Sequence, residues 1–148
     1  MDTGVFTELN LGSVTIRNRL VVSPMCQYSC DKRDGVPTEW HRVHYGSRAV
    51  GGAGVVMVEA TAVEDIGRIT PFDLGIWNDE QATELSRIAE FVADQGSVPA
   101  IQLAHAGRKA SRNQPWKGRQ PIYPDDGGWE VIAPSPIPYP ERDRDPRP

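Results

Sequence analysis

Two cysteines and two histidines stand in an order that could hold a metal: Cys26, three residues, Cys30, ten residues, His41, two residues, His44. Thiolates and imidazoles together can surround zinc tetrahedrally. The spacing argues against it, because a zinc finger keeps about 12 residues between its pairs and three to five between its histidines. Hydrogen-bonded packing on a helix, with His44 in the packed stripe, is the favoured reading of the two rings. Cys26 alone could act as a nucleophile, yet nothing near it supplies a general base, and an isolated thiol is ordinarily a small hydrophobe. Gly51-Gly52-Ala53-Gly54 has the composition of a phosphate-cradling turn. It follows a helical pattern and precedes a strand pattern, the reverse of the dinucleotide-binding order, so it reads as a helix stop.

Composition narrows the partners. The chain has 148 residues with 20 acidic and 16 basic side chains, a net charge of −4. It lacks the basic footprint that nucleic acid or an anionic membrane surface requires. Counting glycine and leaving out tyrosine, about 46 % of residues are apolar, as in an ordinary folded domain. No stretch approaches the roughly 20 apolar residues of a membrane span, and the first residues have no signal-peptide grammar. Two cysteines are too few for a disulfide framework and read as reduced thiols. The expectation is a cytoplasmic protein.

The elements that must position chemistry follow from periodicity. Alternation around Gly12 predicts an N-terminal hairpin spanning Phe6 to Arg17. Leu20-Val21-Val22, Val55-Val56-Met57-Val58 and Pro99-Ala100-Ile101-Gln102-Leu103 read as strands apolar on both faces, as interior parallel strands are. Thr38 caps an expected helix from Glu39 to Val50, with Trp40, Val43, His44 and Ser47 on its packed face. Asn78 caps another whose Ala82, Leu85, Ile88, Ala89 and Val92 form a stripe, with Gly96 as its stop. Nine of the 13 prolines fall from Pro115 to Pro148, which reads as a Pro/Gly-rich loop and tail. Three βα units in series imply parallel strands with right-handed crossovers, either a doubly wound sheet or part of a (β/α)₈ barrel. Both architectures put chemistry at strand C-terminal ends, where Cys26, Tyr28, Glu59 to Thr61, Gln102 and His105 gather.

Ser23-Pro24-Met25-Cys26-Gln27-Tyr28-Ser29, Gly67-Arg68-Ile69 and Gln102-Leu103-Ala104-His105-Ala106-Gly107-Arg108-Lys109 closely resemble the Old Yellow Enzyme family of FMN-dependent ene-reductases. The similarity is greatest to its cysteine-bearing, thermophilic-like or xenobiotic-reductase-like subgroup. Arg17-Asn18-Arg19, Trp40-His41, His44-Tyr45, Glu59-Ala60, Asp73 to Trp77 and Ala133-Pro134-Ser135 extend it from about Phe6 to Pro138. The resemblance implies an α/β fold, the first three βα units of a TIM (β/α)₈ barrel behind an N-terminal β-hairpin, all 148 residues belonging to one FMN-binding domain. It implies FMN as cofactor, NADPH or NADH as reductant, a small-molecule enone or enal as substrate, and a homo-oligomer in the full-length form. By the same resemblance, Ser23, Pro24, Met25, Cys26, Ala60 and Gln102 contact the flavin. Cys26 tunes its redox potential, Ala60 leaves room for the ring, Tyr28 contacts substrate, and Lys109 stands at the substrate margin.

A (β/α)₈ barrel takes about 250 residues, so the family's substrate-binding histidine motif, proton-donating tyrosine and flavin-phosphate loops fall outside these 148. The expectation is therefore an N-terminal portion of an ene-reductase, or else an inactive fragment or interaction remnant that does not bind FMN alone. No metal is expected. Elemental analysis of the purified chain should find no stoichiometric zinc; one zinc per chain, lost with Cys30→Ser, would reverse the reading.

Overall fold

In the computed structural model, which describes residues 4–140, the chain opens with an antiparallel hairpin of β1 (Leu9–Leu11) and β2 (Val14–Ile16). Leu11 pairs with Val14, leaving a two-residue turn in which Gly12 has φ +60°. A positive φ at that position matches the twist of the flanking strands and favours glycine. The next residue inward, Arg17, joins distant pieces. Its guanidinium donates to the Ala49 carbonyl of the first helix at 3.0 Å and to Ala53 at 2.9 and 3.2 Å. It also reaches Gln95 at the end of the second helix at 2.7 Å and the Ser97 hydroxyl at 2.9 Å. A cation there answers the partial negative charge at two helix C-termini.

Four parallel strands follow: β3 (Val21–Val22), β4 (Val55–Ala62), β5 (Leu74–Gly75) and β6 (Val98–Ala104). β3 pairs with the start of β4 and β5 with its end along one edge, while β6 pairs along the other. Helix α1 (Glu39–Val50) crosses from β3 to β4 and α2 (Asp79–Asp94) from β5 to β6. Val56 and Val58 of β4 pack with Tyr45 and Ala49 of α1, Leu85, Ile88 and Val92 of α2, and Cys30 in one core. The two-residue β5 had no periodic signal to betray it.

Helix α2 matches its expectation. Asn78 Oδ1 accepts from Gln81 N at 3.0 Å, Gln81 answers by accepting from Trp77 and Asn78, and the chain turns at Gly96 with φ +76°. Helix α1 corrects one. Trp40 and Val43, expected in the packed stripe with His44 and Ser47, are 54 and 64 % exposed; the inward face is His41, His44, Tyr45 and Ala49. Polar partners explain the rotation, because the Tyr45 hydroxyl bonds a buried carboxylate in β4 described below and His41 accepts the Thr38 N–H. Gly46 completes the seat, since a Cβ there would lie 2.9 Å from the Phe91 ring of α2.

The pairing of β4 with β6 contains a shift. Val55 to Val58 match Val98 to Ile101 one for one, but Ala60 then pairs with Gln102, and Glu59 is left as an extra residue. One added residue reverses which face the following side chains take. Val58 and Ile101 face the helices, whereas Ala60 and Gln102 lie side by side on the opposite face. Beyond β6, residues 105–140 form three 3₁₀ turns and an Arg112–Pro121 bridge, with no α-helix or longer strand. This loop is nonetheless packed: Ala110, Val131 and Ala133 are buried, and it hangs on the β4 loop through Ala106 N to Gly67 O and Trp129 Nε1 to Ile66 O, both 2.8 Å. The end of the expected tail, 141–148, lies outside the described residues. No described helix is long and apolar enough to cross a membrane.

Among the described residues, β3 and β6 each pair only with β4, and Val21 and Leu103 are 56 and 62 % exposed. Open edges and bare apolar side chains favour association over a single packed state. The 148-residue chain expressed alone should bind a hydrophobic dye and show no sharp calorimetric transition. A cooperative transition of the monomer would contradict this.

Candidate active site

The loop leaving β3 carries the first group of expected site residues. Ser23 and Met25 are exposed, and Pro24, Cys26 and Tyr28 are half-buried. The Ala60 backbone N–H and the Tyr28 hydroxyl lie beside the Cys26 sulfur and favour its charged form. Burial, with help from the Asp73 and Glu59 carboxylates, pushes this thiol up to about 11, so it is protonated at neutral pH. That removes the nucleophile reading, which needs a thiolate. Tyr28 is held at φ +52° and meets Trp116 edge to face at 5.8 Å between ring centres. A left-handed backbone is uncommon for a bulky residue and persists only where its surroundings fix it. Burial raises the phenol above its usual range, keeping it a neutral donor.

What fixes this loop is Glu59, which is 1 % exposed. Its Oε1 accepts from Gln27 N at 2.8 Å, and the neighbouring Tyr28 N–H also favours the charged carboxylate. Its Oε2 accepts from the Tyr45 hydroxyl at 2.5 Å, while the same tyrosine oxygen accepts the Glu59 N–H at 3.0 Å. His41 Nε2 lies 3.9 Å from Oε2, and its Nδ1 accepts from Thr38 N at 2.9 Å. Desolvation dominates the charges here: Glu59 rises to about 7 and His41 falls to about 4. His44 stacks on Trp40, and both histidine rings pack against Tyr45, His41 stacked and His44 edge to face.

Ala60 and Gln102, paired in register, place a methyl and a free amide next to one another, with Cys26 joined to the same patch through Ala60 N. Gln102 is exposed, and its side-chain amide makes no hydrogen bond among the described residues. A cavity of about 440 Å³ opens beside Tyr28, lined also by Thr70, His105, Lys109, Arg119 and Tyr139. Lys109 Nζ sits 5.3 Å from the centre of the Tyr139 ring. The structure thus brings together Cys26, Tyr28, Ala60 and Gln102, and sets Lys109 across a cavity from Tyr28.

Two supports escaped the sequence reading. Arg68 donates to the carbonyls of Arg33 and Pro71 at 2.8 and 3.0 Å, pairs with Asp65, and lies between the rings of Trp77 and Trp129. Asp73 accepts from Ile69 N, Thr70 N and the Thr70 hydroxyl at 2.7 to 3.0 Å; burial raises it to about 6. Together they lock the β4 loop to the β3 loop. The signal was available in part: Glu59, a carboxylate ending an otherwise apolar run, is a buried charge in need of donors.

Residues 4–130 match the NADH:flavin oxidoreductase / NADH oxidase family. The chain belongs to that family. It is 47 % identical over 147 residues to an NADPH dehydrogenase of a Geobacillus species, covering 99 % of this chain and 39 % of that enzyme. It superposes on morphinone reductase in complex with tetrahydroNAD with a TM-score of 0.68 at 35 % identity, covering 83 % of this chain and 33 % of that one. The old yellow enzyme from Trypanosoma cruzi gives a TM-score of 0.73 at 27 % identity, over 93 % of this chain and 36 % of that one. The chain therefore spans well under half the length of its relatives, and its parallel sheet with two crossovers is the opening part of a (β/α)₈ barrel. The cofactors of the family are FMN and a reduced nicotinamide. The residues fit a flat heteroaromatic ring: Ala60 adds only a methyl to the face, and the Gln102 amide beside it is free to donate and accept.

Opposed titrations give a measurable consequence. Glu59, raised from 4.5 to about 7, contributes stability that is complete below pH 4.5 and fades as pH rises through 7. His41, lowered from 6.5 to about 4, contributes stability that is complete above pH 6.5 and fades as pH falls through 4. The two oppose each other between pH 4.5 and 6.5. In a chimera where residues 1–148 replace the matching part of the Geobacillus enzyme, Glu59→Gln should make the urea midpoint rise with pH relative to the parent across that window, since Asp73, raised to about 6, opposes His41 equally in both proteins. A parent and variant with parallel pH profiles would contradict it.

Proposed function

We propose that the chain is the N-terminal part of an FMN-dependent NAD(P)H oxidoreductase that reduces the C=C bond of α,β-unsaturated carbonyl compounds. The observation that carries this is the register shift at Glu59, which sets Ala60 beside Gln102 and brings Cys26 to the same patch. Bound FMN would supply two-electron hydride chemistry between a reduced nicotinamide and the C=C bond. Gln102 meets the ring's alternating donors and acceptors with an amide that offers both. Ala60 keeps the face low, and Ser23, Pro24 and Met25, the first and last exposed, would line the ring. Cys26 contributes a protonated, polarizable sulfur that adjusts how readily the ring takes electrons. Tyr28 offers its neutral hydroxyl to an enone or enal in the cavity, with Lys109 at the far margin. The enzyme works in the cytoplasm, where free thiols such as Cys26 and Cys30 stay reduced.

The open edges of β3 and β6 favour a second statement: the 148 residues alone neither hold FMN nor turn over. Adding FMN to the isolated chain should leave it colourless after gel filtration, and the chimera should be yellow. In the chimera, Cys26→Ala should shift the flavin reduction potential with FMN retained. Tyr28→Phe should lower kcat/KM for an enone by about tenfold, the scale of one hydrogen bond. An unchanged potential would remove Cys26 from its role, and loss of flavin from Tyr28→Phe would make Tyr28 a cofactor residue.

A further inference from the structure

We infer that Glu59 is the positioning residue of the flavin face, holding Cys26 and Tyr28 in place through the backbone between them; this rests on the function proposed above. Glu59 is the residue added to β4 at the register shift, and such a residue forfeits its place in the ladder. Its N–H is recovered by the Tyr45 oxygen at 3.0 Å, and its carboxylate is turned toward α1 and the β3 loop, away from the Ala60 and Gln102 face. There it accepts the Gln27 N–H at 2.8 Å, and the neighbouring Tyr28 N–H also favours its charged form. Successive N–H groups converge on one anion where the backbone turns left-handed, as it does at Tyr28 with φ +52°. The carboxylate thereby fixes the direction of the Tyr28 phenol, whose hydroxyl lies beside the Cys26 sulfur. It touches neither the flavin face nor the cavity itself and acts only through the loop. One residue then does two jobs: as an insertion it turns Ala60 to the flavin, and as an acceptor it brings the thiol and phenol up to the same patch.

The test uses the chimera and reads the loop without relying on turnover. Glu59→Ala removes both acceptor oxygens, whereas Glu59→Gln keeps one for the Gln27 N–H. Alkylation of Cys26, followed by peptide mass spectrometry, should be at least about tenfold faster in Glu59→Ala and within about twofold of the parent in Glu59→Gln, the scale of losing a hydrogen bond to a charged group. Equal rates in all three proteins would overturn the inference. A double-mutant cycle on the flavin potential supplies the second readout: Cys26→Ala should change it in the parent and leave it unmoved in the Glu59→Ala background. Additive shifts would also overturn the inference. If Cys26→Ala leaves the parent potential unchanged, the proposed role of Cys26 fails, and the alkylation rates still decide the role of Glu59. If Glu59→Ala does not fold, Tyr45→Phe serves in its place, because it frees Oε2 and the Glu59 N–H together; Cys26 alkylation no faster than in the parent would then count against the inference.

Discussion

A carboxylate taken out of water in the middle of a sheet has to be answered by donors, and the arrangement around Glu59 is the answer. Leaving such a charge unpaired costs several kcal/mol, more than most single packing contacts return. The donors come from α1 through Tyr45 and from the β3 loop through Gln27. The helix is consequently rolled so that aromatic and imidazole rings face inward, and valine and tryptophan are left outside. Hydrophobic burial still supplies most of the driving force, through the valines of β4 and the leucine and isoleucine of α2. It is the polar constraint that chooses among the ways of burying them.

The two ends of the sheet are held by different means. At the N-terminal end, Arg17 gathers carbonyls from α1, α2 and the turns that follow them, a purely structural cluster far along the strands from the site. At the C-terminal end, Arg68 and Asp73 knit loops together, and the long segment after β6 closes over them. The strands separate these clusters, so the end that fixes the helices carries none of the groups assigned to chemistry.

Much of this was legible in the residues. The stripe of Leu85, Ile88 and Val92 with its Asn78 cap announced α2, because period, cap and stop agreed on one element. The three main strands showed as apolar runs, and their ends collected the polar residues that proved to converge. Helix α1 misled because the hydrophobic pattern of Trp40 and Val43 was followed, while its inward face is specified by hydrogen-bonding capacity that period alone does not report. β5 contributes two residues, too few for any period. The shift between Val58 and Ala60 left no local mark at all: it is a property of two strands read against each other, and each strand looks regular by itself. Motif resemblance compensated, since it matched Ala60 and Gln102 to a flavin without needing to know how they came to be neighbours.

That shift means the site is written partly in a count and only partly in residue types. Point substitutions along β4 change what a side chain is, but a one-residue deletion between Val58 and Ala60 would change where every later one points. Sequence drift in this stretch is therefore expected to proceed by replacement and to avoid changes of length. Loops such as the one after β6 are free of that arithmetic, since no alternation runs through them, and can lengthen or shorten without turning a strand over.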